Sequence, residues 1–164
     1  MRRFGVDAVE RVRRRLEAPL DRIEPVLTKR DWVPAHAQIA VTEAIVDEML
    51  AGDLRALYPL LLDDTRTSLG RIELALVRSL GPARALALAP RTFHKVHDQG
   101  DVEVAIDGRR GRVAFTGNPL FGHPTWRVLQ LFAHRVLLEL AGSPGEAVGE
   151  ATEATDAFTV IATW

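Results

Sequence analysis

The fold is decided by the stretch from Gly100 to Thr116, which reads GDVEVAIDGRRGRVAFT. Apolar and polar residues alternate over residues 101–107 and again over residues 111–116. This period of two predicts strands with one buried face. Between them, Asp107-Gly108 supplies a turn that tolerates positive φ, which is a strong hairpin signal. The stretch therefore predicts a β-hairpin.

After this hairpin the period becomes helical. Residues 124–141 carry an apolar stripe that runs from Trp126 and ends before Gly142, which is the pattern of a helix with one face on a core. Phe132 and Leu138 lie away from that stripe. A helix with apolar residues on more than one side is usually covered on more than one side. We therefore expect the sheet to cover one side and another helix or a second copy to cover the other.

A second hairpin is predicted at the end of the chain. Residues 146–152 are rich in Ala, Gly and Glu, which favours an edge strand, whereas residues 156–164 are β-branched and favour an inner strand. The predicted module is ββαββ, a four-stranded antiparallel sheet with the helix between its two hairpins.

Helical periodicity and boundary signals predict four or five helices before residue 100. The fold class is therefore α+β, with these helices packed on the sheet. The first two expected segments lie near residues 6–16 and from Trp32-Val33-Pro34 to Gly52, the second with a core-facing stripe over residues 37–49. The third covers residues 54–62, with a kink or break at Pro59. The last two run from Leu69 to a helix end at Gly81-Pro82, with Leu69, Ile72, Leu76 and Leu80 at helical spacing, and from Pro82 to Gly100 with a bend at Pro90.

Length and composition favour an ordinary soluble protein. The chain has 164 residues, 47% of them hydrophobic, and a net charge of −1, so we expect an N-terminal arm over residues 1–30 and one domain over residues 31–164. With no cysteine, disulfides and thiolate metal sites are excluded. No apolar run approaches the roughly 18 residues of a spanning helix, and no signal peptide is evident. We therefore expect a cytoplasmic location.

The N-terminal arm is basic and amphipathic. Residues 1–30 hold nine Lys or Arg and five Asp or Glu, with an apolar stripe at Val6, Val9 and Val12. The favoured interpretation is a solvated helix that docks by this stripe. The alternative is an arm that contacts nucleic acid, an acidic partner or a membrane surface. Acidic residues dilute the charge and no aromatic residues interleave for base stacking, so nucleic-acid binding is not expected.

The order of elements resembles a known superfamily. Helices followed by ββαββ with an aromatic last strand are similar to the haem-NO-binding and vinyl-4-reductase-type domains, ligand-binding domains in NO signalling and Golgi transport. The chain is nearest to an uncharacterised bacterial branch of that superfamily. The resemblance is carried by the segments at residues 100–104, 112–119, 126–142 and 158–164. It implies a ligand-sensing domain with a pocket between helices and sheet.

One departure from that superfamily bears on the cofactor. Haem-binding members carry a Tyr-x-Ser-x-Arg motif on the second strand, which holds the haem propionates. The corresponding residues here are Ala114, Thr116 and Asn118, so the bidentate Arg partner for a carboxylate is missing. We therefore expect no cofactor, with haem disfavoured. The alternative is a haem or metal sensor that uses His94 or His97, which precede the sheet where the resemblance expects the proximal histidine.

The remaining histidines do not indicate catalysis. His94 and His97 could share a metal with Asp98 only if the helix end bends suitably, so no metal site is predicted. His134 is expected to be a hydrogen-bonded residue at the core boundary. No nucleophile elbow occurs in the sequence. We expect a protein that is not an enzyme.

These inferences combine into one functional expectation. We expect a bacterial sensor or interaction module, a homodimer through its helical side, with a second protein as a further possible partner. Opposite charges at the basic hairpin tip and the acidic C-terminal part favour such association. If a small apolar ligand binds, the pocket residues are expected to be Phe93, Phe115, Trp126, Leu129 and Phe158.

Overall fold

The computed structural model describes residues 6–16, 34–95, 97–150 and 154–164. These residues form two compact units, which divide between Leu57 and Tyr58. The predicted division into an arm and one domain places its boundary after residue 30, which lies outside the described residues. That division therefore stays a prediction, and the two units are described separately.

The first unit contains helices α1 (Val6–Arg15) and α2 (Ala35–Met49). Pro34 is the residue that precedes α2, and the expected start at Trp32 and Val33 lies outside the described residues. Ala8 and Val12 of α1 are buried. Arg15 Nε donates to Glu48 Oε1 of α2 at 2.7 Å, and this ion pair raises the pKa of the Arg15 guanidinium above its ordinary value. Apolar contact and ion pairing therefore act together between these two helices.

Helix α3 (Leu57–Ser68) follows a short 3₁₀ turn at Leu54–Ala56, and all of it except Leu57 belongs to the second unit. Pro59 lies in the first turn of α3, where its missing N–H costs nothing because that turn has no partner for the group. The expected kink at Pro59 is therefore wrong, and the irregular geometry comes before the helix instead.

Helix α4 (Arg71–Ala87) is bent in its middle. Gly81 has φ 67° and ψ 170°, a region that is open almost only to glycine, and Pro82 starts the helix again beyond it. A short helix α5 (Ala89–Phe93) follows. The predicted helix end at Gly81-Pro82 is thus a sharp bend between two helical stretches.

The sheet has the predicted antiparallel topology. Its strands are β1 (Asp101–Asp107), β2 (Arg110–Thr116), β3 (Glu146–Glu150) and β4 (Phe158–Thr163), in the order β1-β2-β4-β3. The predicted α+β class is confirmed. The β-branched final strand lies inside the sheet and the Glu-rich strand lies at its edge, as the sequence predicted.

The long helix α6 (Pro124–Leu140) connects the two hairpins. Trp126 is buried against the sheet, with its ring 6.2 Å from that of Phe158 on β4. Phe132 is also buried, and its ring lies 5.7 Å from that of Tyr58 on α3. This confirms that α6 is covered on two sides, and α3 supplies the second cover.

One face of the sheet forms the core. Val113 is fully buried at its centre and is paired with Val104 and Val160. Gly111 lies on the same face, and a Cβ there would come within 2.8 Å of Leu86 Cδ1. The absent side chain at Gly111 lets α4 pack directly on the sheet, with Leu86 completely buried.

Some residues of the apolar stripes are exposed. Ile106 is 39% exposed because it lies next to the turn of the β1–β2 hairpin. Ile72 and Leu76 are 85% and 59% exposed, so this part of the apolar stripe faces solvent in the first half of α4. The bend at Gly81 means that only the residues beyond it reach the sheet. Among the described residues, no helix is long and apolar enough to cross a membrane.

Leu86→Ala is expected to lower the free energy of unfolding by about 2–5 kcal/mol, because it opens a cavity in a fully packed site. Leu76→Ala, on the same helix but exposed, is the matched control and is expected to change it by less than about 0.5 kcal/mol. Urea denaturation of both variants tests this. Equal losses in the two variants would show that Leu86 is not part of the core.

Candidate ligand site

A cluster of aromatic rings joins α5, β2, α6 and β4. Phe115 on β2 lies at its centre, with ring centroids 5.3 Å from Trp126 and 6.0 Å from Phe93. Phe121, between β2 and α6, lies 4.7 Å from Trp126. Rings at these separations and inclinations attract one another beyond their area of burial. The cluster therefore holds α5 and α6 at a defined position on the sheet.

A cavity of ≈ 530 Å³ opens beside this cluster, between α4, α5 and α6. Its volume is within the range of small-molecule sites, about 300–1,000 Å³. Four of its lining residues are polar and the rest are apolar. They are Val77, Leu80, Ala85, Leu88, Ala89, Thr92, Phe93, His97, Phe115, Gln130, Ala133, His134 and Leu137.

His97 is one of two imidazoles in this lining. Its ring stacks on Phe93 with centroids 4.2 Å apart and planes inclined by only 6°. Its Nδ1 atom is buried. Burial has the largest effect on the ring and lowers the pKa of His97 below its ordinary value, because desolvation disfavours the charged form, while the Phe93 carbonyl oxygen and Asp98 act to raise it. His97 is therefore a neutral imidazole that packs on Phe93 at the cavity.

His134 is the second imidazole, on α6. Its side chain is buried, and Nδ1 lies 2.7 Å from the Gln130 carbonyl oxygen. A carbonyl oxygen only accepts, so Nδ1 carries the proton and Nε2 keeps its lone pair. Burial also lowers the pKa of His134. The expected hydrogen-bonded histidine is present, but it lies in the cavity wall as well.

His94 does not share this position. Its side chain is 55% exposed, and Nε2 lies 3.8 Å from Asp101 Oδ1. Asp98 is exposed. Within the described part of the chain, no group of three or more His, Cys, Asp or Glu side chains is placed to hold a metal ion. The structure thus separates the two histidines that the sequence treats as equivalent, and only His97 reaches the cavity.

The five predicted pocket residues fall into two groups. Phe93 and Phe115 line the cavity. Trp126 and Phe158 belong to the aromatic cluster behind it, and Leu129 is half-buried on α6 without reaching the lining. Their role in ligand binding stays a prediction.

The residues at the expected propionate clamp have structural roles. Asn118 Oδ1 accepts a hydrogen bond from Leu120 N, and Asn118 Nδ2 donates to Gln99 O. Thr116 is exposed at the end of β2. This part of the chain therefore closes the turn between β2 and α6 and does not reach into the cavity.

Comparison with known proteins supports the fold. No protein-family model and no curated protein sequence matches the chain. Among solved structures, an Fe(II) unliganded H-NOX protein from K. algicida matches with a TM-score of 0.65 at 13% identity, over 99% of this chain and 88% of that one. A mutant of that protein gives a TM-score of 0.64 at 14% identity, with the same coverage. The chain has an H-NOX-like fold. The resemblance drawn from the order of elements is confirmed at the level of the fold.

The expectation that no cofactor is bound is contradicted by this finding. Both H-NOX-like neighbours are Fe(II) proteins. The expectation rested on the missing arginine of one short motif. The loss of an ionic clamp removes one interaction with a cofactor, whereas the fold retains a cavity and two neutral imidazoles beside it.

Part of the cavity wall escaped sequence reasoning. Gln130, Ala133, His134 and Leu137 are spaced i, i+3, i+4 and i+7, the spacing of one helix face. The small and polar side chains in this row, in a helix that is otherwise apolar on two sides, are the signal that could have indicated a cavity. The opposite wall is formed by α4 on both sides of the bend at Gly81. The sequence indicates where this bend lies, but not the direction in which the helix continues after it.

The buried histidines predict a pH-dependent stability. Because burial lowers the pKa of His134 below the ordinary value of 6.5, the unfolded chain binds more protons as the pH falls through about 6.5. The free energy of unfolding therefore falls with pH until the lowered folded pKa is passed. His134→Gln removes this group, so the slope of the free energy of unfolding against pH is expected to decrease. The decrease is at most the contribution of one proton, about 1.4 kcal/mol per pH unit.

Urea denaturation between pH 7.5 and pH 5 measures this slope. His94→Gln, which replaces an exposed histidine in the same way, is the matched control. If His134→Gln shows the slope of the unsubstituted protein, His134 is not buried as a neutral ring.

Proposed function

We propose that residues 58–164 form a ligand-binding sensor domain that holds haem in the cavity beside the aromatic cluster, with His97 as the iron ligand. The observation that carries this proposal is the imidazole of His97 in the lining of an apolar cavity, where it stacks on Phe93. The H-NOX-like fold, shared with Fe(II) proteins, supports haem as the ligand. The proposed role is binding and signalling rather than catalysis.

The residues present fit an iron centre in their donor chemistry. Iron binds a neutral imidazole, and the lowered pKa of His97 keeps its ring neutral at physiological pH. The stacking of His97 on Phe93 restricts rotation of the imidazole. Haem would supply an iron that takes a small gaseous ligand. The protein supplies the imidazole and the apolar walls that exclude water.

A second candidate is an uncharged apolar ligand in the same cavity. It is favoured by the lining, in which no described residue carries a full charge. An apolar molecule gains about 25 cal/mol for each Å² removed from water. The homodimer and a second protein partner also remain proposals.

Addition of hemin to the purified protein is expected to produce a Soret band with the position of an imidazole complex. His97→Ala is expected to weaken hemin binding at least tenfold, because it removes the proposed iron ligand. His94→Ala removes a neighbouring imidazole outside the cavity and is the matched control. Absorption titration of the three proteins measures this.

Two results would contradict the proposal. If the protein gives no Soret shift, the cavity does not hold haem, and native mass spectrometry of protein purified from cells should then reveal a different retained molecule. If His94→Ala weakens hemin binding as much as His97→Ala, then His97 is not the specific iron ligand.

A further inference from the structure

We infer that two arginines at the edge of the cavity, Arg84 and Arg91, bind the anionic end of its ligand. The ligand class is then an apolar molecule that carries carboxylates. This inference rests on the proposed function, and it names the residues that hold the carboxylates of haem. It follows from the charge and the spacing of residues along α4 and α5.

The cavity wall formed by α4 and α5 lies in a stretch of the chain without acidic residues. Residues 74–97 contain no Asp or Glu, and their charged residues are Arg78, Arg84, Arg91 and Lys95. The same stretch supplies the lining from Val77 to His97. Cations that are gathered beside a cavity with apolar walls raise the local concentration of anions at its mouth. The charge of this wall therefore favours an anionic ligand.

Leu88 shows how two of these cations lie relative to the cavity. It belongs to the lining and is 38% exposed, so it lies at the cavity edge. Its backbone angles are helical, and Thr92 N donates to Leu88 O at 3.1 Å, so the helical path continues from α4 into α5. Arg84 precedes Leu88 by four residues and Arg91 follows it by three. Residues at these spacings share one helix face, so both arginines flank the exposed edge of the cavity.

The guanidinium groups of both arginines are free to bind a ligand. Arg84 and Arg91 are exposed, and within the described part of the chain neither makes a hydrogen bond or an ion pair. The arginines of α6 differ, because Arg127 donates to backbone carbonyl groups and the Arg135 guanidinium lies over the ring of Tyr58. An arginine stem can lie along apolar surface while its charged end stays in water. Its guanidinium group then offers a carboxylate two parallel hydrogen bonds.

These two arginines take the place of the clamp that is missing on β2. Asn118 stands at the arginine position of that motif, and its side chain closes the turn after β2. A ligand bound through Arg84 and Arg91 has its apolar ring in the cavity and its carboxylates at the mouth. An acidic surface of a partner protein is the other candidate for such cations. The small ligand is favoured because Leu88, which lies between the two arginines, opens on the cavity.

The test compares hemin with its dimethyl ester, which has the same ring and iron but no ionised carboxylate. Each is added to the full chain from the same detergent solution, and the Soret band is titrated at low and at high salt. Hemin is expected to bind at least about fivefold more tightly than the ester at low salt, because each exposed ion pair contributes a few-fold. High salt should reduce this preference, since it screens exposed charges.

A charge-removing variant identifies the residues responsible. Arg84→Gln combined with Arg91→Gln is expected to reduce the preference for hemin to less than about twofold, since both proposed ion pairs are lost. The affinity for the ester should not change. Arg71→Gln, exposed on α4 and outside the cavity lining, is the matched control and should keep the full preference. It removes one positive charge from the same helix without removing a proposed carboxylate partner.

Three results would overturn the inference and leave haem binding in place. The first is equal binding of hemin and ester by the unsubstituted protein, which would leave the two arginines to an acidic partner protein. The second is a preference for hemin that survives the double substitution. The third is an equal loss of hemin and ester binding in the double variant, which would mean that the arginines support the cavity and not the carboxylates.

A second pair of probes separates this inference from haem binding. If neither hemin nor its ester binds, haem binding fails, and the comparison is repeated with dodecanoate and dodecanol by quenching of tryptophan fluorescence. A preference for dodecanoate that disappears in the double variant supports the inference without haem. Equal binding of dodecanoate and dodecanol, or binding of neither, overturns it.

Discussion

The structure of residues 58–164 depends on the burial of Phe115. This side chain lies on the core face of β2 and meets rings from three directions: Phe93 after α4, Phe121 and Trp126 at the start of α6, and His134 farther along that helix. A flat ring with several ring neighbours restricts the angles at which those neighbours approach. Phe115 therefore fixes the positions of α5 and α6 over the sheet. Removal of its ring would abolish all four of these ring contacts together.

The candidate site follows from the same packing. The cavity shares Phe93 and Phe115 with the aromatic cluster, so its walls are held by core contacts. His97 and His134 are each held against one of these rings. A ligand in this cavity would change the environment of the residues that join α5 and α6 to the sheet. Through that connection, binding of a ligand would change the arrangement of the helices.

Sequence reasoning succeeded where a local pattern reports directly on its own surroundings. The alternation over β1 and β2, the Asp107-Gly108 turn and the helical stripe after Pro124 predicted ββαββ correctly, because period and turn chemistry are local properties. The helical spacing of Ile72 and Leu76 did not show that both side chains are exposed, because this depends on the bend at Gly81 that follows them. Sequence reasoning also could not tell that His97 lines the cavity whereas His94 is exposed. Two histidines three residues apart have the same local pattern, and their burial differs only because of the residues that pack against them.

The sequence by itself determined the order of the elements, the edge and inner positions of the last two strands and the H-NOX-like fold. Those depend on hydrophobic periodicity and on residues such as glycine with special backbone freedom. Only the tertiary structure decided where a ligand could lie. The direction of α4 beyond Gly81 and the placement of α6 over Phe115 create the cavity, and both result from contacts between residues far apart in the chain. Burial then makes His97 and His134 neutral, a property that no local pattern contains because it depends on the exclusion of water by the assembled core.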